Sequence, residues 1–313
     1  MKDAVKERVI LRPLISEAST AQFGDVPGVG KKLLAGVVSA WVLLAPAHAG
    51  DVELLPSPAA ENSSLSRVVS DESGNLYLSW VTQAEGSAGL YYSTLKETRW
   101  GKPQLVRQGE DWFINWADFP VLSVSAENKA AHWLRMSAEG TYDYDINARF
   151  YDARTDVWSD TITPHKDGVS AEHGFVSMLP VGNGNTLMSW LDGRNTKTEA
   201  GYGEMTLRAG IFSARGETLS EWELDARVCD CCQTSAAMSA AGPIIVYRDR
   251  SAEEIRDIYV TRYVNGDWTP PVAIHDDQWE IAGCPVNGPS VAAQGNFVAV
   301  GWFTAKDDSP KVQ

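Results

Sequence analysis

Short apolar runs alternate with polar turns along residues 64–313, and five of these runs close on an aromatic residue: Trp80, Trp133, Trp190, Tyr247 and Trp302. The gaps are 53, 57, 57 and 55 residues. Five to seven residues upstream of each aromatic stands a turn pair: Gly74-Asn75, Glu127-Asn128, Gly184-Asn185, Ala241-Gly242 or Gly295-Asn296. Gly and Asn tolerate the positive φ of tight turns, so each pair marks a hairpin whose second strand ends on the aromatic. The strand before each turn is short and small or β-branched, at 66–69, 121–124, 175–179, 235–238 and 290–293. Four units continue into a third strand, at 89–94, 146–151, 207–213 and 257–263. A Trp then opens a fourth strand, as Trp100, Trp158, Trp222 and Trp268.

Four antiparallel strands repeated about every 55 residues make the blade of a β-propeller, in which each unit buries its apolar face against the next. The fold class expected is all-β, with the outer Trp residues packed between blades. Units begin near 64, 119, 173 and 233, and the fifth runs only through its aromatic-ended strand. About four and a half blades are therefore expected. The edge this leaves would be closed by further blades or by a partner chain.

The strand, polar turn and Trp resemble the Asp-box (BNR) hairpin of sialidase-like propellers, Ser-x-Asp-x-Gly-x-x-Trp. Degenerate copies stand at Tyr151-Asp-Ala-Arg-Thr-Asp-Val-Trp158, from Ser93 to Trp100, and at Asn265-Gly-Asp-Trp268. The resemblance spans roughly residues 60–313 and implies six blades when complete. It also implies an exo-sialidase-like site: three Arg on the substrate carboxylate, a Tyr–Glu nucleophile pair and an Asp acid/base. No Arg-Ile-Pro motif precedes the first blade, and the family's later Arg and Tyr would fall beyond the fifth unit. Arg194 and Arg248 are the candidate carboxylate binders and Asp118 the candidate acid. A glycoside hydrolase and a binding or scaffold propeller without turnover both fit these residues.

The first fifty residues follow another pattern. Lys31-Lys32 precede an apolar run from Leu33 to Ala45, and Pro46-Ala47-His48-Ala49 follows. A basic flank, a short apolar core and an Ala-x-Ala ending read as a secretory signal at 1–49, cleaved after Ala49, with 50–63 as a linker. The run is shorter than the roughly 20 residues of a membrane span. The leader before it is over-long, which is explained if translation starts at Val29. The expected location is periplasmic or secreted, with no membrane span after cleavage. The formal net charge of −14 argues against nucleic acid or an anionic membrane as partner.

The start of each first strand and the end of each second strand share one face of a propeller, the mouth of its channel. Two residues past each aromatic stand Thr82, Arg135, Asp192, Asp249 and Thr304, with Arg194, Arg248 and Arg250 beside them. The first-strand starts add Asp118, Glu172, His173, Gln233, Thr234 and Asn287. Asp118, Asp192 and Asp249 are the candidate catalytic carboxyls, since a pair with divided protonation runs glycoside hydrolysis. Arg135, Arg194, Arg248, Arg250 and Asn287 are the candidate ligand binders, because guanidinium grips carboxylate in a fork. The alternative is that these charges are ion pairs tying loops between blades. The expected partner is a glycan or another small polar ligand. Tyr142, Asp143, Tyr144 and Asp145 form an acidic aromatic turn, read as a solvated blade tip, with contact to a ligand as the alternative. His132, His165 and His275 carry no expectation.

The sharpest local motif is Cys229-Asp230-Cys231-Cys232, with Cys284 in a later loop; these are the only cysteines. Cys232 and Cys284 precede first strands of consecutive units and are expected to be neighbours. In an exported chain four cysteines argue for disulfides, with three pairings open. The alternatives are free thiols, a redox site, or a thiolate site for Cu(I) or Zn with His173 assisting. No other cofactor is expected.

Overall fold

A computed structural model of the protein describes residues 53–313. The leader, with its expected signal and cleavage site, lies outside the described residues. The first strand begins at Ser63, and among the described residues no helix is long and apolar enough to cross a membrane.

The fold is all-β and built of antiparallel blades. The first comprises Ser63–Ser70, Leu76–Ala84 and Ser87–Lys96, with its outer strand split into Arg99–Trp100 and Gln104–Gly109. The second comprises Leu122–Val124, Asn128–Met136, Tyr144–Asp152 and Val157–Trp158. The third has four full strands, His173–Val181, Asn185–Asp192, Thr206–Phe212 and Thr218–Asp225. The fourth comprises Ser235–Ser239, Gly242–Arg248 and Ile258–Val264, with its outer strand split into Asp267–Trp268 and Val272–Ala273. In the fifth unit Ser290–Gln294 pairs with Phe297–Gly301, and Phe303–Thr304 pairs with Lys311–Val312. That short last pairing is one strand more than the sequence pattern predicts. The five innermost strands pack side by side in chain order, as blades of one propeller do.

The turns behave as their residues demand. Gly74 and Gly184 sit at φ +80° and +71°, a region closed to most side chains. The core lies in the seams between sheets. Leu134, Tyr144, Ile146 and Phe150 of the second blade meet Val176, Met188, Trp190 and Phe212 of the third. Leu187, Leu191 and Leu207 of the third meet Ile245 and Tyr247 of the fourth. Each such side chain contributes about 1.5–3 kcal/mol on burial, so each blade depends on its neighbour. The outer Trp residues pack across seams as expected: Trp158 against Tyr92, and Trp222 against Trp268.

The second-strand aromatics do more than fill space. Trp80 donates its indole N–H to Thr82 (3.1 Å) and Trp190 to Asp192 (2.8 Å). The polar residue two places on therefore satisfies a buried Trp in these units, an obligation not visible from spacing.

Candidate functional site

Four consecutive units bring loop and strand-start residues to one cleft of ≈ 440 Å³ at the mouth. Its wall includes Asn115 and Trp116 ahead of the second blade, Tyr142 and Tyr144 within it, and Glu172 and Phe175 at the start of the third. Tyr202, Asp230, Cys231, Cys284 and Val286 complete it. Three of the aromatics stand unusually free: Trp116 is 74% exposed, Tyr202 67% and Tyr142 57%.

Behind the cleft lies a carboxyl–hydroxyl–carboxyl chain. Tyr144 Oη is 2.8 Å from Asp118 Oδ2 and 2.9 Å from Glu172 Oε1. A phenol carries one hydrogen, so it can donate to only one of them, and the other must bring its own proton. Asp118 is buried and also accepts the Phe175 N–H (2.8 Å), so it is the better-served anion. Burial pushes Asp118 up to about 7 and Glu172 up to about 8. The arrangement at neutral pH is then Glu172 protonated, donating to Tyr144, which donates to Asp118.

Local backbone geometry makes this chain possible. The inner strand of the third blade carries a register shift between Gly174 and Ser177, with Phe175 at φ +53°. That bulge frees the Phe175 N–H from the ladder and turns it to Asp118. A Cβ on Gly174 would sit 1.8 Å from Asp118 Oδ2, so only glycine lets the carboxylate in. A backbone bond from Tyr144 N–H to Ala171 O (3.1 Å) holds Tyr144 and Glu172 alongside each other.

A second cluster lies deeper. His165 and His173 stack face to face, with centroids 3.7 Å apart. His173 donates from Nδ1 to Ala171 O (3.2 Å), and its Nε2 faces Asp167 (3.4 Å) and Asp192 (3.6 Å). Burial opposes its charge, but Asp167 and Asp192 override that and hold it up at about 9. His165 accepts the Ile146 N–H at Nε2 (3.3 Å), and burial with its charged neighbour pushes it down to about 4. Burial works against the charge of Asp192 too, yet Arg194 and His173 hold its carboxyl far below the usual range. An imidazolium thus lies on a neutral imidazole, among carboxylates. Asp145, Asp167 and Asp192 with the two His could in number ligate a metal. One nitrogen of each is taken, His173 Nδ1 by Ala171 O and His165 Nε2 by the Ile146 N–H, while His173 Nε2 is left facing Asp167 and Asp192 without a hydrogen bond. Held charged between these carboxylates, the ring acts as a charge-neutralising keystone.

Stability should follow these charges. His173, Asp118, Glu172 and Asp249 (about 7, raised by burial) all have folded values above their ordinary ones. Each contributes stability that is present below its unfolded value and lost as pH rises through its folded one. Cys229, whose thiolate is favoured, works the other way and offsets one of them. Unfolding free energy is expected to fall by about 3 kcal/mol or more between pH 6.5 and 9. Between pH 6.5 and 4 buried neutral His165 and His132 oppose the carboxyls, and the profile flattens. Denaturation at fixed ionic strength across this range checks it; stability rising from pH 6.5 to 9 would contradict the assignment.

The remaining candidates from the sequence take other places. Asp192 is fully buried, donating no face to the cleft: it receives the Trp190 indole and both arms of Arg194 (2.7 Å each). Asp249 is buried outside the cleft wall. Arg248 is 1% exposed, and its guanidinium donates to the carbonyls of Asn287, Arg256 and Phe303, so nothing is left for a ligand. Arg250 grips Glu254 (2.8 Å), Arg135 pairs with Asp111 on the surface, and the Asn287 amide turns to Pro285 O (2.6 Å). Asp118 alone of the three carboxyls adjoins the cleft. The sequence places Glu172 at the mouth but gives it no role, Trp116 and Tyr202 are cleft groups that sequence reasoning does not name, and the turn read as a solvated tip supplies Tyr142 and Tyr144.

The cysteines gather at the seam between the fourth and fifth units. Cys231 is bonded to Cys284, while Cys229 and Cys232 are buried thiols. The neighbour expected for Cys284 was Cys232; the turn at 229–232 points Cys231 to the cleft and Cys232 inward. A soft metal would have only Cys229 and Cys232 as sulfur donors. It would also have to displace Arg256, whose Nη1 is 3.1 Å from Cys229 Sγ. His173 is committed elsewhere.

The sequence matches no family model and no curated protein. Among solved structures, an α-L-arabinanase of Penicillium chrysogenum, complexed with arabinobiose, is similar at 12% identity and TM-score 0.48, over 81% of each chain. The Aleuria aurantia lectin, a six-bladed β-propeller that recognises fucose, is similar at 12% identity and TM-score 0.47, over 79% of this chain and 72% of the lectin. A thermostable family-43 glycoside hydrolase is similar at 10% identity and TM-score 0.44, over 80% of this chain and 93% of its own.

Proposed function

We propose that the mouth cleft binds a neutral glycan. The observation that carries this is the ring of three exposed aromatics, Trp116, Tyr142 and Tyr202, around a protonated Glu172 and the Asp230 carboxylate. Flat apolar sugar faces stack on such rings, and carboxyl oxygens accept or donate to the hydroxyls between them. Large exposed aromatics gathered at a concave site are costly unless something covers them. A carboxylated sugar suits the cleft less well, because Arg194, Arg248 and Arg250 are spent within the protein. The reading therefore moves from a sialic-acid-type ligand to an uncharged one. The protein acts after export, in an oxidising compartment, which the leader pattern and the Cys231–Cys284 bond both support.

Hydrolysis is the second reading, and Glu172 is what favours it. A carboxyl kept protonated by burial at neutral pH is poised as a general acid, and Asp230, flanked by Arg250 and Arg256, is a second carboxyl in the same wall.

Titration of Trp fluorescence with neutral and sialylated oligosaccharides separates the ligands. Trp116→Ala is expected to weaken neutral-glycan binding about tenfold with folding intact. Glu172→Gln should keep binding and abolish any release from aryl glycosides. If the native protein binds no neutral glycan, the proposal fails.

A further inference from the structure

The four cysteines stand in two tiers. The outer tier is the Cys231–Cys284 bond in the cleft wall, with Cys284 exposed. The inner tier is Cys229 and Cys232, both buried, with sulfurs 3.4 Å apart at Cys-x-x-Cys spacing. One contact joins the tiers: Cys229 Sγ lies 3.9 Å from Cys231 Sγ.

The inner pair is chemically divided. A hydrogen bond joins the two sulfurs and favours the Cys229 thiolate, and although burial raises Cys229, the Cys231 backbone N–H and the Arg256 guanidinium act in the same favourable direction. The same sulfur–sulfur bond and burial keep Cys232 protonated, well above the usual thiol range. The other charged groups around them are Asp230, shared by Arg250 and Arg256, Glu254 on Arg256, and Arg248 near Cys232. A low-pKa thiolate beside a disulfide, backed by a second thiol, is the arrangement that thiol–disulfide exchange needs.

We propose that these cysteines form an internal disulfide relay that gives the cleft wall two covalent states. In the first step the Cys229 thiolate attacks Cys231 Sγ. The Cys229–Cys231 bond forms, the Cys231–Cys284 bond breaks, and its electron pair leaves on Cys284. In the second step Cys232 passes its proton to the Cys284 thiolate through solvent and attacks Cys229 Sγ, releasing Cys231 as a thiolate. The disulfide ends as Cys229–Cys232, with Cys231 and Cys284 reduced. Two electrons and one proton move within the chain, so no outside oxidant or reductant enters. The exchange unlatches the Cys284 loop from the fourth unit and leaves the seam held by its noncovalent contacts, among them the Trp279–Phe303 ring contact. This inference stands independently of the ligand.

The test is pulse labelling of the folded, oxidised protein with N-ethylmaleimide, without reductant, followed by peptide mass spectrometry of each cysteine. The native chain is expected to label at Cys231 and Cys284 with time, to a limit of two labels. In Cys232→Ser only the first step remains, so Cys284 labels while Cys231 stays bonded to Cys229. In Cys229→Ser the labelling of Cys284 should fall at least about tenfold. Labelling confined to Cys229 and Cys232, or Cys284 labelling unchanged in Cys229→Ser, overturns the relay. Should Cys229→Ser not fold, the Cys232→Ser pattern decides alone: Cys284 and Cys231 labelling together, or neither, rejects it.

Discussion

Gly174→Ala is expected to destabilise the protein by about 2–4 kcal/mol and to dismantle the mouth cleft. The added methyl would meet Asp118 Oδ2 at 1.8 Å and Tyr144 Cε2 at 2.9 Å, and both are fully packed. Neither can retreat cheaply. If Asp118 turns away, the Phe175 N–H loses its acceptor and Tyr144 loses the anion that orders its hydroxyl. If Tyr144 shifts, it leaves Phe113, on which it stacks at 4.1 Å, and a seam of the core opens. Strand propensity would favour alanine over glycine here, so local preference and tertiary packing pull in opposite directions, and packing wins. Urea denaturation supplies the number. The double variant Gly174→Ala with Asp118→Ala should cost less than the two singles added together, because the clash and the lost acceptor share one carboxylate. A loss under about 1 kcal/mol for Gly174→Ala would mean the carboxylate is not held where it appears.

Arg248→Met is the second large effect, expected at about 3–5 kcal/mol. The guanidinium makes four hydrogen bonds to three backbone carbonyls: two to Asn287 O (3.0 and 2.8 Å), one to Arg256 O (2.6 Å) and one to Phe303 O (2.8 Å). It also lies under the Trp279 ring, 5.1 Å from its centroid. Methionine keeps much of the stem's packing and removes every donor to the three carbonyls, of which Arg256 O is buried and the others partly so. Arg248→Lys should recover only a minor part, since the three carbonyls are met by three different guanidinium nitrogens and a single ammonium nitrogen cannot take all their places. Amide exchange should localise the damage to residues after 286, because Asn287 and Phe303 belong to the fifth unit. Uniform loosening of all blades, or a cost below about 1 kcal/mol, would remove Arg248 from this role.

The blades were legible because a propeller repeats its obligations. Each second strand must end on a large side chain that fills a seam, and Trp80, Trp133, Trp190 and Tyr247 do so at near-fixed spacing. The same register leads to Asp192, Arg194, Asp249 and all four cysteines being expected at one mouth; of these the cleft wall holds Cys231 and Cys284, alongside Glu172 from a first-strand start. What spacing could not give was depth. Asp192 at a second-strand end and Asp118 at a first-strand start are both expected at the same mouth. One is buried on an indole and a guanidinium, while the other backs a cleft through Tyr144. Arginine donors were equally undecidable, since a guanidinium bound to backbone carbonyls leaves no trace in the partner residues. Trp116 lies in a loop and Tyr202 in a two-residue strand, Gly201–Tyr202, paired with Lys197–Thr198 outside the blade pattern, so only the folded chain shows that they meet. The one signal passed over was the Cys-x-x-Cys spacing of 229 and 232, obscured by the adjacent Cys231.

The grip of Arg248 has an evolutionary consequence. It reads only main-chain oxygens, so it constrains the path of the 284–303 segment and is indifferent to most side chains along it. Val286, which faces the cleft, can therefore be exchanged without renegotiating the join between units. A lineage carrying this arginine is free to retune what the mouth accepts on that side while inheriting the same architecture.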